Sequence, residues 1–258
     1  MIYSTKKSVA IFGDVHGASD KLKKLLKVLD TDYPGIKIFS TGDLVDKGPD
    51  SKGVVDLCIK RKITAVIGNH DDAFRLFLNK DIGAIHIHLH DGMGGKATMH
   101  SYSNNTIIKS GTRVDLISKE YLKVVPESHK KYFDNMPLYI ILEFPKEKYT
   151  ESYLLSHGAL SQQSYEEWKA DNYDDFIADD PYKNIDRMMN DNRDEILWQH
   201  KTRGWAEPYN MTQIMGHVPM PDAVISDDII ALDTGCGKRN DAKLSCLILP
   251  EKKLIEIL

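Results

Sequence analysis

Five short polar segments of the sequence carry side chains that are able to bind metal ions. They read GDVHG, GDLVDKG, GNHD, SHG and GHV, and a glycine lies beside each polar residue or follows the histidine. The candidate ligands in these segments are Asp14, His16, Asp43, Asn69, His157 and His217. Carboxylate, imidazole and amide oxygen together suit manganese, iron or zinc. Because six ligands exceed what one catalytic zinc normally takes from protein, two metal ions that share a carboxylate explain the set better.

The elements that must position the first three segments are strands followed by helices. Apolar runs at Val9–Phe12, 36–41 and 63–67 precede these segments, and helical patterns at 18–29, 51–60 and 71–78 follow them. This alternation predicts an α/β fold with parallel strands and crossover helices. Ligands of open α/β sheets bind outside the carboxyl ends of the strands, so we expect the polar segments to meet at one edge.

The rest of the chain predicts a second layer and a cover over the site. Strands are predicted at 138–144, 153–156, 214–215, 223–225, 229–232, 244–249 and 254–258, and a helix at 126–136. A loop-rich insert is expected at about 86–116, and a polar, helical cover at about 161–205. No repeat or linker divides the sequence, so residues 1–258 are interpreted as a single domain.

Composition limits the function classes. The chain has 258 residues, of which 41% are hydrophobic, and a formal net charge of -4. The absence of a basic tract argues against duplex nucleic acid as a partner. No apolar stretch of 18 residues is present, so no membrane span is expected. The three cysteines, Cys58, Cys236 and Cys246, form no CxxC pair, which indicates a reducing compartment and predicts a cytoplasmic protein.

The five motifs, taken in their order along the chain, resemble the phosphoprotein-phosphatase branch of the calcineurin-like metallophosphatases. That branch includes bacterial and phage serine/threonine phosphatases and symmetrical diadenosine tetraphosphatases. Gly94-Gly95 with Thr98, and the run Asp-Thr-Gly-Cys at 233–236, are similar to further pieces of the bacterial subgroup. The resemblance implies a sandwich of two β-sheets flanked by helices, with the site at the C-terminal ends of the strands.

The resemblance also implies a role for each ligand. Asp14 and His16 would bind a first metal ion, and Asp43 would bridge both ions. The second ion would be bound by Asn69, His157 and His217. Two divalent ions are implied, with Mn²⁺ expected and iron or zinc as alternatives. A hydroxide that bridges the two ions would attack phosphorus in line.

The resemblance assigns proton transfer to a second pair of residues. His70 would protonate the leaving oxygen, and Asp46 would hold His70 in its protonated form. This division agrees with simple chemistry, because an alkoxide leaving group needs a proton that a metal-bound histidine could not supply. The alternative interpretation is a structural ion pair at the end of a strand.

Phosphate binding also requires polar or positive side chains. Asn69 is a candidate here as well as a metal ligand. Lys47 stands where the family usually has an arginine, and Arg203, downstream of Leu197-Trp198, is the candidate for a second family arginine. Lysine cannot bind phosphate through two parallel hydrogen bonds as arginine does, so the phosphate clamp is expected to differ. For both cations a solvated surface charge is the alternative interpretation.

The resulting hypothesis is a metallophosphatase that hydrolyses phosphate monoesters, foremost phosphoserine and phosphothreonine in proteins. The first alternative is symmetrical hydrolysis of diadenosine tetraphosphate, and a second is a phosphodiesterase that acts on nucleic acid or cyclic nucleotides. A non-catalytic metal-binding scaffold is the alternative from another class. The expected partners are a phosphoprotein, a phosphopeptide or a dinucleoside polyphosphate.

Three alternating histidines, His86, His88 and His90, would share one side of a strand and could bind a metal ion. A partly exposed strand or loop is the preferred interpretation, because the main ligand set is complete without them. Cys236 is expected to be a buried, unreactive side chain.

Overall fold

The structure is a computed structural model that describes residues 1–103, 122–200, 204–239 and 241–258. Within these ranges the strands are β1 (Ile2–Ser4), β2 (Val9–Phe12), β3 (Lys37–Ser40), β4 (Thr64–Ala65), β5 (Tyr139–Pro145), β6 (Thr150–Ser156), β7 (Thr212–Met215), β8 (Val224–Ile225), β9 (Ile229–Ala231), β10 (Leu244–Leu249) and β11 (Lys253–Ile257). The helices are α1 (Ser19–Asp32), α2 (Ser51–Lys60), α3 (Asn69–Leu78), α4 (Ile82–Leu89), α5 (Gly95–Ser103), α6 (Glu127–Asp134), α7 (Gln162–Asp171), α8 (Tyr173–Ala178), α9 (Pro181–Asp191) and α10 (Arg193–Trp198), with a 3₁₀ turn at Pro208–Asn210.

The strands form two sheets. One has the order β11-β10-β2-β3-β4, in which β2, β3 and β4 are parallel. Strand β10 pairs antiparallel with β2, and β11 pairs antiparallel with β10. The other has the order β1-β5-β6-β7-β9-β8, in which β6, β7 and β9 are parallel. The crossover helices that follow β2 and β3 are those that the sequence predicts for parallel neighbours.

The two sheets face each other across an apolar core. Ile11 and Phe39 of the five-stranded sheet pack in one buried cluster with Leu142, Leu155 and Ile214 of the six-stranded sheet. These residues are at most 1% exposed. Side chains of a strand alternate between the two faces of its sheet, so the intervening residues face the outer helices.

Helices cover the outer face of each sheet. Leu22, Leu25 and Leu29 of α1 recur at helical spacing and pack with Ala10 and Phe12 of β2. On the other side, residues of α7, α9 and α10 pack with β5 and β6. The expected architecture of two β-sheets flanked by helices is therefore confirmed. Among the described residues, no helix is long and apolar enough to cross a membrane.

One local prediction is wrong, and a second lies partly outside the described residues. The alternating histidines lie on helix α4 and the turn after it instead of on a strand, and His88 is fully buried. The expected loop-rich insert at 86–116 contains the end of α4 and all of α5, while its remainder from residue 104 lies outside the described residues. In a helix, His86 and His90 share one face at i, i+4 spacing and His88 lies on the opposite face, so three histidines in five residues fit a helix as well as a strand.

Candidate metal centre

The predicted ligands lie at the carboxyl ends of strands from both sheets. Asp14 follows β2, Asp43 follows β3, Asn69 follows β4, His157 follows β6 and His217 follows β7. All five are at most 5% exposed. The edge where ligands of parallel sheets usually bind thus receives residues from both halves of the sandwich.

Backbone strain is concentrated at this edge. His16, Asp43, Asp46, Lys47 and His217 have positive φ values of 40°, 52°, 71°, 63° and 66°. A residue with a Cβ pays about 1–3 kcal/mol for such a conformation, which persists only where the surroundings impose it. The turns that present these side chains are therefore held against their local preference.

Asp43 lies between two groups of imidazoles. Its Oδ2 is 3.3 Å from Nε2 of His16, and its Oδ1 is 3.4 Å from Nε2 of His157. Two clusters of potential ligand atoms, His16–Asp43–His70 and Asp43–His157–His217, each fall within 4.8 Å and share this carboxylate. One carboxylate with an oxygen toward each cluster has the arrangement that a pair of cations would require.

Backbone carbonyls orient two of the histidines. Nδ1 of His16 donates to the carbonyl of Val45, and Nδ1 of His157 donates to the carbonyl of Thr41, both at 2.8 Å. Each of these hydrogen bonds fixes the tautomer of its ring and leaves the lone pair of Nε2 toward the centre. Metal-binding histidines are usually held in this way by a hydrogen bond from the other ring nitrogen. Asn69 Oδ1 lies 3.0 Å from Nε2 of His157.

The imidazole nitrogens that face the centre fit a metal ion. Burial lowers the pKa of His16 and of His217 to about 3, so both rings are neutral at ordinary pH. Their Nε2 atoms are buried and have no hydrogen-bond partner among the described residues. Buried polar atoms are rarely left unpaired, and a metal ion would satisfy both.

The carboxylates of the centre also favour a cation. Burial, followed by repulsion from Asp233 and Asp43, raises the pKa of Asp14 well above its ordinary value. Asp14 accepts hydrogen bonds from the backbone N–H of His217 at 3.1 Å and from the Thr41 hydroxyl at 3.1 Å. A divalent cation would relieve the repulsion between these buried acidic groups.

His70 and Asp46 form a separate pair beside Asp43. His70 Nδ1 lies 2.8 Å from Asp46 Oδ2, and His70 Nε2 lies 3.9 Å from Asp43 Oδ2. Asp46 is itself fixed, because its Oδ1 accepts from the Thr98 hydroxyl at 2.6 Å and its N–H donates to Ser51 Oγ at 3.1 Å. Burial lowers the pKa of His70, but Asp43 and Asp46 outweigh burial, so its pKa lies above the ordinary value.

A cleft of about 700 Å³ opens over these residues. Its wall includes Lys47, the turn at 92–94, Trp198, Pro219 and Lys238. The Lys47 ammonium group donates to the carbonyl of Gly92, and burial lowers its pKa. The predicted cation Arg203 lies outside the described residues, so only Lys47 of the two predicted cations is placed at the cleft.

Several residues near the centre were absent from the predicted site. Asp233 and Lys238 belong to the loop after β9, and Lys238 Nζ lies 2.8 Å from Asp233 Oδ2. His200 stacks on His217 with ring centroids 4.4 Å apart. The signal for Asp233 was available: the Asp-Thr-Gly-Cys run follows a predicted strand just as the other polar segments do.

Comparison with known proteins assigns the family. The family model for calcineurin-like phosphoesterases matches residues 7–245, which is most of the chain. The protein therefore belongs to the calcineurin-like phosphoesterases, a class of metal-dependent hydrolases, as the order of the motifs indicates. The two clusters that share Asp43 are the candidate for the metal site that this class requires.

The relatives of this chain carry more than one substrate name. The asymmetrical bis(5'-nucleosyl)-tetraphosphatase of Anoxybacillus flavithermus is 26% identical over 96% of this chain and 92% of its own length. Serine/threonine-protein phosphatase 1 of Salmonella typhimurium is 41% identical, but over 24% of this chain and 29% of its own length. A solved structure provisionally named a diadenosine tetraphosphatase has a TM-score of 0.63 and 19% identity, covering 99% of this chain and 96% of its own. This structural likeness supports the fold.

Proposed function

We propose that the chain hydrolyses phosphate esters or anhydrides at the centre around Asp43, with two divalent cations bound there. Asp14, His16 and Asp43 would hold one cation, and Asp43, Asn69, His157 and His217 the other. The observation that carries this proposal is the position of Asp43, which places one oxygen about equally close to each imidazole group. Bound cations would polarise the phosphoryl oxygens and lower the pKa of a water molecule at the site.

The side chains of the protein itself would bind, orient and protonate the substrate. His70 lies at the edge of the cleft with Nδ1 held by Asp46, so its Nε2–H is free to donate to the leaving oxygen. The raised pKa keeps this imidazole protonated to higher pH than an isolated histidine. Asn69 and Lys47 line the same cleft and are proposed to contact phosphoryl oxygens.

Metal dependence is the first test of this function. The protein stripped with a chelator and dialysed should show no hydrolysis of p-nitrophenyl phosphate, and Mn²⁺ should restore it. Titration calorimetry with Mn²⁺ should give two ions per chain. Iron and zinc are tested in the same way, since imidazole and carboxylate ligands accept all three. Hydrolysis that persists in the fully stripped protein would exclude the proposed chemistry.

A dinucleoside tetraphosphate is the first substrate candidate. The tetraphosphatase relative matches nearly the whole chain, whereas the serine/threonine phosphatase matches about a quarter of it. The cleft has room beyond the centre, and Trp198 and Pro219 give it an apolar wall against which a base could pack. The relative's name supports asymmetrical cleavage to a nucleoside monophosphate and a nucleoside triphosphate, in place of the symmetrical cleavage considered from the sequence.

A phosphoserine or phosphothreonine peptide is the second candidate. Its support is the 41% identity to serine/threonine-protein phosphatase 1 over 63 residues. Measurement of kcat/KM for diadenosine tetraphosphate and for a phosphothreonine peptide, with products separated by chromatography, decides between the two. A ratio of about 100 or more in either direction would assign the substrate class, and the nucleotide products would distinguish symmetrical from asymmetrical cleavage.

A further inference from the structure

Lys238 is a cation in the cleft to which the proposed function assigns no role. Its Nζ lies 2.8 Å from Asp233 Oδ2 and 3.9 Å from Asp14 Oδ2. The side chain is 23% exposed and lines the same cleft as Asp43 and His70. An ammonium group therefore stands beside the candidate metal centre and still reaches the open space above it.

The loop after β9 is built to bring Lys238 to this place. Gly235 and Gly237 on either side of Cys236 have φ values of 80° and 73°, which side chains rarely adopt. A Cβ on Gly237 would lie 2.3 Å from the carbonyl oxygen of His16, so the loop packs directly on the first polar segment. Asp233, fixed by the N–H of Gly235 at 2.8 Å, then holds the ammonium group.

Two acidic side chains hold the Lys238 ammonium group in place, with Asp233 at 2.8 Å and Asp14 at 3.9 Å. Lys47, the other lysine that lines the described part of the cleft, instead donates to the carbonyl of Gly92. Of these two lysines, Lys238 is therefore the one whose ammonium group is held beside the candidate metal centre.

We propose that Lys238 binds a non-bridging phosphoryl oxygen of the substrate and selects phosphate groups that carry two negative charges, as a phosphomonoester does. Each phosphate of a dinucleoside tetraphosphate carries one charge, so this selection favours the phosphopeptide among the two substrate candidates. This proposal rests on the proposed function of the centre. The competing interpretation is a structural ion pair that only neutralises Asp233 and Asp14. The two interpretations differ in what they predict for substrates of different charge.

The experiment compares a monoester with a diester. Near pH 8, p-nitrophenyl phosphate is a dianion, because the second pKa of a phosphomonoester is about 6, whereas bis(p-nitrophenyl) phosphate has a single charge. Lys238→Met should lower kcat/KM for the monoester by about 10- to 100-fold, the value of one hydrogen bond to a charged group. The loss for the diester should be less than about threefold. Lys238→Arg should retain most of the selectivity.

Binding of orthophosphate gives a readout that does not require turnover. In calorimetry with Mn²⁺-loaded protein, Lys238→Met should weaken orthophosphate binding by the same about 10- to 100-fold. Its affinity for Mn²⁺ should be unchanged or tighter, because a positive charge near Asp14 is removed. Lys243→Met is the matched control, since Lys243 pairs with Asp222 and Glu256 and does not line the cleft.

The outcomes separate this proposal from the function on which it rests. Equal losses for the two esters, with unchanged binding of orthophosphate, would overturn the role of Lys238 and leave the phosphoesterase function standing. Should the metal-loaded wild type hydrolyse neither these esters nor diadenosine tetraphosphate, the proposed function fails, and orthophosphate binding still decides whether Lys238 binds phosphate. If Lys238→Met does not fold, Lys238→Gln provides the same comparison.

Discussion

The carboxylate of Asp46 lies 2.8 Å from Nδ1 of His70 and is held in turn by the hydroxyl of Thr98 at 2.6 Å. All three side chains are buried. The imidazole can therefore present only Nε2 to the cleft, and its proton is stabilised from behind. This chain of contacts joins residues from the loop after β3, helix α3 and helix α5, and it gives the proposed acid a fixed direction.

Replacement of His70 by Asn should affect substrates according to their leaving group. A serine alkoxide needs a proton, so phosphoserine hydrolysis should fall by about 100-fold or more, while p-nitrophenyl phosphate should lose about tenfold or less. Steady-state kinetics on both substrates measures the difference. Equal slowing of the two would show that His70 is not the acid.

Replacement of Asp46 by Asn should move the pH profile of hydrolysis. Asp46 raises the pKa of His70, so its loss should lower that pKa, and kcat should then begin to decline at a lower pH as pH rises. The profile is measured between about pH 5 and pH 9 with a poor leaving group. Thr98→Val, which removes the hydroxyl that holds Asp46, should shift the declining limb in the same direction by a smaller amount. An unmoved limb in both variants would contradict the pairing.

Replacement of Asp43 by Asn should prevent the binding of both cations. The shared carboxylate would become neutral. Loss of a residue that only hydrogen-bonds to a metal ligand lowers metal affinity by about 10- to 100-fold, and loss of the shared ligand itself should lower Mn²⁺ affinity by more. Calorimetry with Mn²⁺ measures the affinity and the number of ions. Asp222→Asn, at a side chain that is 76% exposed and pairs with Lys243, is the control. Full binding of two ions by the Asp43 variant would refute the proposed ligand set.

Replacement of Gly216 by Ala should displace Asp14. A Cβ at Gly216 would lie 2.0 Å from Asp14 Oδ1 and 2.6 Å from Thr41 Oγ1, distances that real Cβ atoms do not show. We expect weaker Mn²⁺ binding and a loss of hydrolysis in a protein that melts at a lower temperature. Gly83→Ala in helix α4 is the control, because within the described part of the chain its Cβ would meet only Asp81 Oδ1, at 3.3 Å. Normal Mn²⁺ affinity in Gly216→Ala would mean that metal binding does not require Asp14 at its observed position.

Replacement of His88 by Leu should stabilise the protein, most of all in acid. Both ring nitrogens of His88 are buried without a hydrogen-bond partner among the described residues. The centroid of its ring lies 5.2 Å from that of Phe74 and 5.0 Å from that of Phe77. An unsatisfied buried polar group costs about 1–3 kcal/mol, so the free energy of unfolding should rise by about that amount or less.

The pH dependence of this effect follows from the lowered pKa of His88, which burial causes. As pH falls below about 6.5, the unfolded chain binds a proton at this histidine before the folded chain does, so the wild type loses stability and the variant is spared that loss. Urea unfolding near pH 7.5 and pH 5.5 measures the difference. His86→Leu, at an exposed position on the same helix, should change stability by less than about 0.5 kcal/mol at either pH. A constant difference between wild type and His88→Leu would contradict the burial of a neutral ring.

The sequence by itself determined the fold class, most strands and helices, and the strand ends that carry the polar segments. It could do so because apolar runs and helical spacing are local signals, and because parallel strands must bring their carboxyl ends to one edge. The observed helix α2 and strand β10 begin and end where they were predicted. Strand β1 was missed, since its three residues are too few to show a pattern.

Only the tertiary structure decided which side chains touch. Thr98 reaches Asp46 across 52 residues of sequence, and Lys238 approaches Asp14 from the far end of the chain. Distances of this kind depend on how the sheets and helices pack, which no local spacing encodes. The same packing placed His88 inside a helix beneath Asp46, where alternation of three histidines had predicted a strand or loop. Tertiary packing determined the structure of this segment. Filling the apolar space between α3 and α5 stabilises the helix by more than the local preference of five residues for a strand or loop disfavours it.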